Sequence, residues 1–151
     1  PRRKPSKSLI NISKTTPTPG DAMTVGRLAR ELALETLCVP HPEREVHGAF
    51  AGDLLSWVMT HAHADNAWAT VMVHNNALAV AALVGVSAII VCDGREVEPD
   101  VCRTAREREI NLLRTNRPMC ALCALLGKLD GLSKPDEPVE GEPHAEALPH
   151  G

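Results

Sequence analysis

Thr60-His61-Ala62-His63-Ala64-Asp65-Asn66 sets two histidines and an aspartate at alternate positions. Imidazole nitrogens and a carboxylate are the donor set of a hydrolytic zinc centre, in which three protein ligands leave one position open for water. His47 and His74 are the distant residues available to complete such a set. The competing reading is an exposed polar end to the helix predicted from Leu54 to Thr60. Cys120-x-x-Cys123 is a second string with metal or redox chemistry open to it. It has no partner Cys pair, and it sits among leucines inside a predicted helix, so two small buried core residues are the simpler expectation.

The histidine string resembles the T-H-x-H-x-D-H signature of the metallo-β-lactamase superfamily. Two features depart from it: Asn66 stands where the last histidine belongs, and a helix precedes the string where that fold needs an apolar strand. The resemblance implies a small metal-dependent hydrolase using His61, His63 and Asp65, which stands as the alternative reading of function.

A different chemistry is offered by four short polar stretches that each follow an apolar run. They are Gly52-Asp53, His74-Asn75-Asn76, Asp93-Gly94 and Arg114-Thr115-Asn116. His74 comes just before a predicted helix, where unpaired backbone N–H groups and the helix dipole favour an anion such as phosphate or carboxylate. Helix capping by His74, Asn75 and Asp53 is the alternative use of the same residues. The sequence holds no G-x-x-x-x-G-K-[ST], G-x-G-x-x-G or G-x-S-x-G string, which disfavours a P-loop kinase, a standard dinucleotide enzyme and an α/β-hydrolase.

The elements that must position these residues centre on Asn66 to Gly94. Ala67 to Val73 reads as a buried strand, Asn75 to Val84 as an apolar helix and Val86 to Val91 as a second buried strand. Two strands joined through a helix run parallel, and a parallel sheet is covered by helices on both faces. Further helices are predicted from Thr24 as N-cap to about Ala33, over Leu54 to Thr60 with Leu54, Leu55, Val58 and Met59 on its inner face, and from Pro99 with Val101, Cys102 and Ala105 inward. A last helix is capped by Thr115 or Asn116, carries Met119, Leu122, Cys123, Leu125, Leu126 and Leu129 on its inner side, and ends at Gly131. Leu34 to Val39, Glu45 to Phe50 and Ile110 to Leu113 read as further strands. The fold class expected is a single α/β domain, with a mainly parallel sheet of about four to five strands flanked by helices. In such sheets the strand-to-helix turns gather at the carboxyl edge, where ligands bind.

Charge divides the chain into an ordered body over residues 22–132 and two arms. Residues 1–21 carry five Lys or Arg against one Asp, a net of +4, and residues 133–151 carry one Lys against five Asp or Glu, a net of −4. Rich in Pro, Ser, Thr, Gly and charge, both are expected to be disordered. The body is mildly acidic, which argues against a nucleic-acid partner. His74, Asn75 and Asn76 break the apolar run that ends at Cys92 before it is long enough to cross a bilayer, so no membrane association is expected. Five cysteines with no obvious pairing, and a basic start with no apolar stretch after it, point to the cytoplasm.

Four segments taken together, Gly48 to Met59, Trp68 to Val80, Val86 to Pro99 and Ile110 to Leu126, resemble the small stand-alone DRTGG-type domains. These are akin to the N-terminal domain of HPr kinase/phosphorylase. The resemblance covers about residues 23–130, and neither a kinase half nor the D-R-T-G-G string itself is present. It implies an α/β domain with a regulatory or ligand-sensing role; with polar turn residues gathered at the sheet edge and no nucleophile-base pair among them, a non-catalytic, cofactor-free homodimeric module is expected. The ligand would be a small anionic metabolite or nucleotide, or else a partner protein, with a pure protein-interaction module as a further alternative. Asp53, His74, Asn75, Asp93, Gly94 and Thr115 are the ligand-contact positions carried over.

Overall fold

Every residue of Asn66–Thr70 and of Ala88–Val91 is buried, a pattern that only the interior of a sheet covered on both sides accommodates. A computed structural model describes residues 22–132. The two arms expected to be disordered lie outside the described residues. In chain order the elements are α1 (Val25–Glu31), β1 (Glu35–Cys38), β2 (Gly48–Ala51), α2 (Leu55–His61), β3 (Asn66–Thr70), α3 (Asn75–Val84), β4 (Ala88–Val91), α4 (Pro99–Glu107), β5 (Leu112–Arg114) and α5 (Met119–Leu126).

The five strands form one sheet in the order β1-β5-β4-β3-β2. β2 to β5 are mutually parallel, whereas β1 runs antiparallel to β5 and makes the sheet mixed. That register sets Glu35 directly opposite Arg114, whose guanidinium meets the carboxylate at 2.7 Å. Alternation along the strands sorts the core into two layers. Ala67, Ala69, Ala88, Ile90 and Leu113 pack with Val25, Leu28 and Ala29 of α1 and Leu122 and Leu126 of α5. Trp68, Ile89, Val91 and Leu112 face Val58 of α2, Leu78 and Ala81 of α3 and Val101 and Ala105 of α4. The result is the helix-sheet-helix sandwich expected from the sequence.

Boundaries move where side chains take the backbone groups that a longer strand would use. β3 ends at Thr70, short of Val73, because the Asp53 carboxylate accepts the Val71 N–H and the Thr70 hydroxyl accepts the Met72 N–H. β2 begins at Gly48, because the Val46 N–H goes to Met23 and not into the ladder. Asn111 falls just outside β5: its carbonyl accepts the Ile89 N–H, while its side-chain amide donates to the carbonyls of His41 and Ser87 and accepts the His41 N–H, pinning the long loop from β1 to the sheet. α5 stops at Leu126, ahead of Gly131. Two predicted faces are corrected. In α2 only Val58 is fully buried, while Leu54 and Met59 are exposed, and in α5 Cys123 is only partly buried and Cys120 is exposed.

The helix ends follow local chemistry. The Thr24 hydroxyl accepts the Arg27 N–H at the start of α1. Gly85, at φ +82°, ends α3 in the left-handed conformation that a side chain would penalise.

Trp68 is the largest fully buried side chain, and its indole N–H donates to the Gly52 carbonyl at 2.9 Å. Trp68→Ala is expected to cost about 3–5 kcal/mol. Trp68→Phe retains most of the apolar contact and is expected to cost markedly less, a ranking that urea unfolding monitored by circular dichroism checks.

Candidate functional site

Because β2, β3, β4 and β5 are parallel neighbours, the polar stretch after each of them emerges on one edge of the sheet, in the spatial order 52–53, 71–76, 92–94 and 115–117. Hydrogen bonds tie these turns into a continuous rim. Asp53 accepts the Thr70 hydroxyl at 2.8 Å and the Val71 N–H at 2.9 Å, joining the first turn to the second. The Cys92 N–H donates to the Thr70 carbonyl, and the Gly94 and Asp93 N–H groups donate to the carbonyls of Thr115 and Arg117.

The positions predicted to contact a ligand are thus neighbours along this rim, in different settings. Asp53, His74, Asn75 and Asp93 are exposed, Gly94 is half-buried and Thr115 is buried. Neither Asp53 nor His74 serves as a side-chain cap: Leu54 occupies the N-cap of α2 and His74 that of α3, both without a capping hydrogen bond from the side chain. Thr115 and Asn116 do not cap α5 either. Pro118 holds the N-cap, and the Thr115 hydroxyl accepts the Arg117 N–H inside the turn. Asp93 and Gly94 both have φ +61°, and a Cβ on Gly94 would come within 2.9 Å of Asn116 Oδ1. This tight turn is closed by its own backbone donors.

What the rim can do chemically follows from which donors remain. Val71, Met72, Asp93, Gly94 and Arg117 spend their N–H groups within the rim. The first turns of α2, α4 and α5 lack a side-chain cap, and so does that of α3, where the Asn75 and Asn76 N–H groups precede the first intrahelical bond. His74 and the two asparagine side chains stand exposed at that same helix end. Carboxylates at Asp53 and Asp93 suit hydroxyl or amino donors on a ligand, not its anionic part. Beneath them, burial foremost and then the negative charge of Asp93 push the Cys92 thiol up to about 11, with Cys123 and Asp53 adding to the rise.

Thr70 and Cys92 are rim residues that no sequence motif marks. Both lie at the buried ends of apolar strands, and Thr70 is paired to a residue seventeen positions away, so no local pattern marks them.

The histidine string lies at the opposite end of β3. His61 stacks on Trp57 with ring centroids 3.7 Å apart, and its Nδ1 lies 2.7 Å from the Thr60 hydroxyl. Asp65 pairs with Arg44 at 3.2 Å. Among the described residues no three His, Cys, Asp or Glu side chains are placed to hold a metal, so His61, His63 and Asp65 do not assemble into the site their spacing suggested. The described residues also contain no helix long and apolar enough to cross a membrane.

Comparison with known proteins found no matching family model and no matching curated protein. Among solved structures the chain is similar to the CBS and DRTGG domains of the regulatory region of a Clostridium perfringens pyrophosphatase, crystallised with its activator diadenosine tetraphosphate. The TM-score is 0.58 at 15% sequence identity, over 85% of this chain and 57% of that one, so this chain spans little more than half the length of its structural neighbour. The likeness is one of fold. It shows an α/β fold of this kind and no relation to HPr kinase.

Asp53→Ala leaves the buried Thr70 hydroxyl without its acceptor and is expected to lower stability by about 1–3 kcal/mol, whereas Asp53→Asn keeps an acceptor and stays within about 1 kcal/mol. Chemical denaturation of the two variants separates these outcomes. Since the Cys92 thiol is held up near 11, native-state alkylation of Cys92 is expected to stay slow at neutral pH and to accelerate only as pH approaches that value.

Proposed function

We propose that this chain is a non-catalytic, ligand-sensing regulatory module of the DRTGG type that binds a small anionic metabolite of the nucleotide class at the carboxyl rim of its sheet. The observation that carries the reading is the rim itself: four parallel strands deliver their polar turns to one edge, and at the uncapped start of α3 backbone donors stand beside the exposed His74, Asn75 and Asn76. The phosphate portion would rest on the Asn75 and Asn76 N–H groups beside His74. Asp53 and Asp93 would take hydroxyl or amino donors of the rest of the molecule, and Gly94 and Thr115 would shape the far end of the rim. The structural neighbour, whose regulatory region takes a dinucleoside polyphosphate, is consistent with this class of ligand.

A thermal-shift series with inorganic phosphate, AMP, ATP and diadenosine tetraphosphate tests it. A ligand at a hundredfold excess over its Kd adds about 2.7 kcal/mol, a rise of several degrees in a domain of this size. Asn75→Asp puts a carboxylate on the helix end, which helps the helix by about 0.3–1 kcal/mol while opposing an anion. It is expected to leave the fold at least as stable and to remove the ligand-induced shift, and His74→Ala is expected to weaken it. No shift with any of the four compounds, or a full shift retained in Asn75→Asp, would end the proposal.

A protein partner is a second reading, and one observation favours a specific form of it. Leu54, Trp57 and Met59 at α2 and Leu83 on α3 are 44–73% exposed, on two helices that pack together. We infer that apolar side chains among them join two copies of the chain as a homodimer. Sedimentation velocity is expected to show a dimer that Leu83→Glu converts to monomer. A wild-type chain that stays monomeric at the highest soluble concentration overturns this reading and leaves the rim reading untouched.

A further inference from the structure

Cys120-x-x-Cys123 plays no part in the rim, and its setting differs from the leucine-lined core its neighbours suggest. α5 begins at Met119, so Cys120 is the second residue of the helix, and its side chain is exposed. Cys123, one turn on, is partly buried and lines a cavity of about 410 Å³ between the end of α5 and residues 49–51 of β2. Cys92, at the end of β4, is fully buried in the same core layer as Leu122 and Leu126 of α5. The three thiols are therefore graded in access, from surface to half-covered to closed. Burial raises the Cys123 thiol, with the neighbouring Cys120 adding to the rise, and Cys92 is raised further by Cys123. The gradient is that of an attacking thiol in front of a protected resolving thiol.

We propose that Cys120 and Cys123 form a reversible dithiol-disulfide pair that reacts with small disulfides of the glutathione class. In the first step the Cys120 thiolate attacks one sulfur of the small disulfide, forming a mixed disulfide and releasing one thiolate. In the second, Cys123 gives its proton to solvent and its sulfur attacks Cys120 Sγ, closing the Cys120–Cys123 bond and expelling the second small thiolate. The protein loses two electrons and two protons, and the small disulfide becomes two thiols.

The position in the helix makes closure feasible. Side chains three apart on a helix have Cβ atoms about 5–6 Å apart, and a disulfide needs roughly 3.5–4.5 Å, so the turn must tighten. In mid-helix this would disrupt bonds on both sides. At the start of α5 the Cys120 and Ala121 N–H groups precede the first intrahelical bond, and Leu122 N–H to Pro118 carbonyl, at 3.1 Å, opens the ladder, so the tightened turn has helix bonds to strain on its C-terminal side only. Both sulfurs thus meet at the segment of the helix that yields most readily.

The test equilibrates the full reduced chain in glutathione buffers of increasing oxidised fraction, quenches with acid, alkylates the remaining thiols and digests with trypsin. Residues 115–128 are expected in one peptide, since Pro118 protects the bond after Arg117. As the oxidised fraction rises, that peptide is expected to lose both alkylation sites together and to appear lighter by two hydrogens, while Cys38 and Cys92 remain alkylatable after denaturation. Cys123→Ser is expected to stop at the glutathione adduct of Cys120, and Cys120→Ser to slow modification of Cys123 by about tenfold or more, because the exposed attacking thiol is gone. A peptide that keeps both thiols in fully oxidised glutathione overturns the proposal. So does a Cys92–Cys123 cross-link, or an unchanged Cys123 rate in Cys120→Ser. The wild-type mapping decides the matter even if neither variant folds.

Discussion

The structure depends on the pairing of β3 with β4. Both strands are buried along their whole length, and their register sets Trp68 beside Ile89 and Ala69 beside Ile90. A parallel pair of this kind leaves no face for water, so each side must be roofed by helices, and the chain supplies α1 and α5 to one side and α2, α3 and α4 to the other. The crossover helices also fix the direction of every later strand. With β2 to β5 all pointing one way, their carboxyl ends share one edge. The candidate site is thus a consequence of core packing, and its residues need not be close in sequence to be close in space.

The rim shows how a small domain reconciles a binding edge with its own stability. Most of its backbone donors are consumed internally, by Asp53, Thr70, Thr115 and the carbonyls opposite Asp93 and Gly94. These bonds hold the four turns in fixed relation. At the uncapped start of α3 backbone donors coincide with the exposed His74, Asn75 and Asn76 side chains.

Much of this was legible in the sequence. The β3-α3-β4 unit is announced by apolar runs separated by His74-Asn75-Asn76, and α3 spans Asn75–Val84 as its composition predicts. Asp93-Gly94 forms a tight turn, and the polar turns gather as the topology of parallel sheets requires. The errors have local causes. Predicted strands ran too long wherever a side chain from elsewhere captured the next N–H, as at Val71. Leu54 and Met59 were placed inward because helical spacing records that a face is apolar, not whether anything covers it. The histidine string, a metal site only in the alternative reading, has a metal-binding spacing, but spacing along the chain says nothing about whether Asp65 turns toward His61 or toward Arg44.

By itself the sequence determined the secondary elements, their order, and hence the class of fold, because hydrophobic periodicity and turn residues act over a few residues and are written locally. Only the tertiary structure decided that β1 joins the sheet antiparallel beside β5, that Asp53 reaches across to Thr70, and that Cys120 faces solvent while Cys123 turns toward the core. Each of those facts depends on which surfaces meet after the chain has collapsed, and contacts between residues far apart in sequence leave no periodic trace along it.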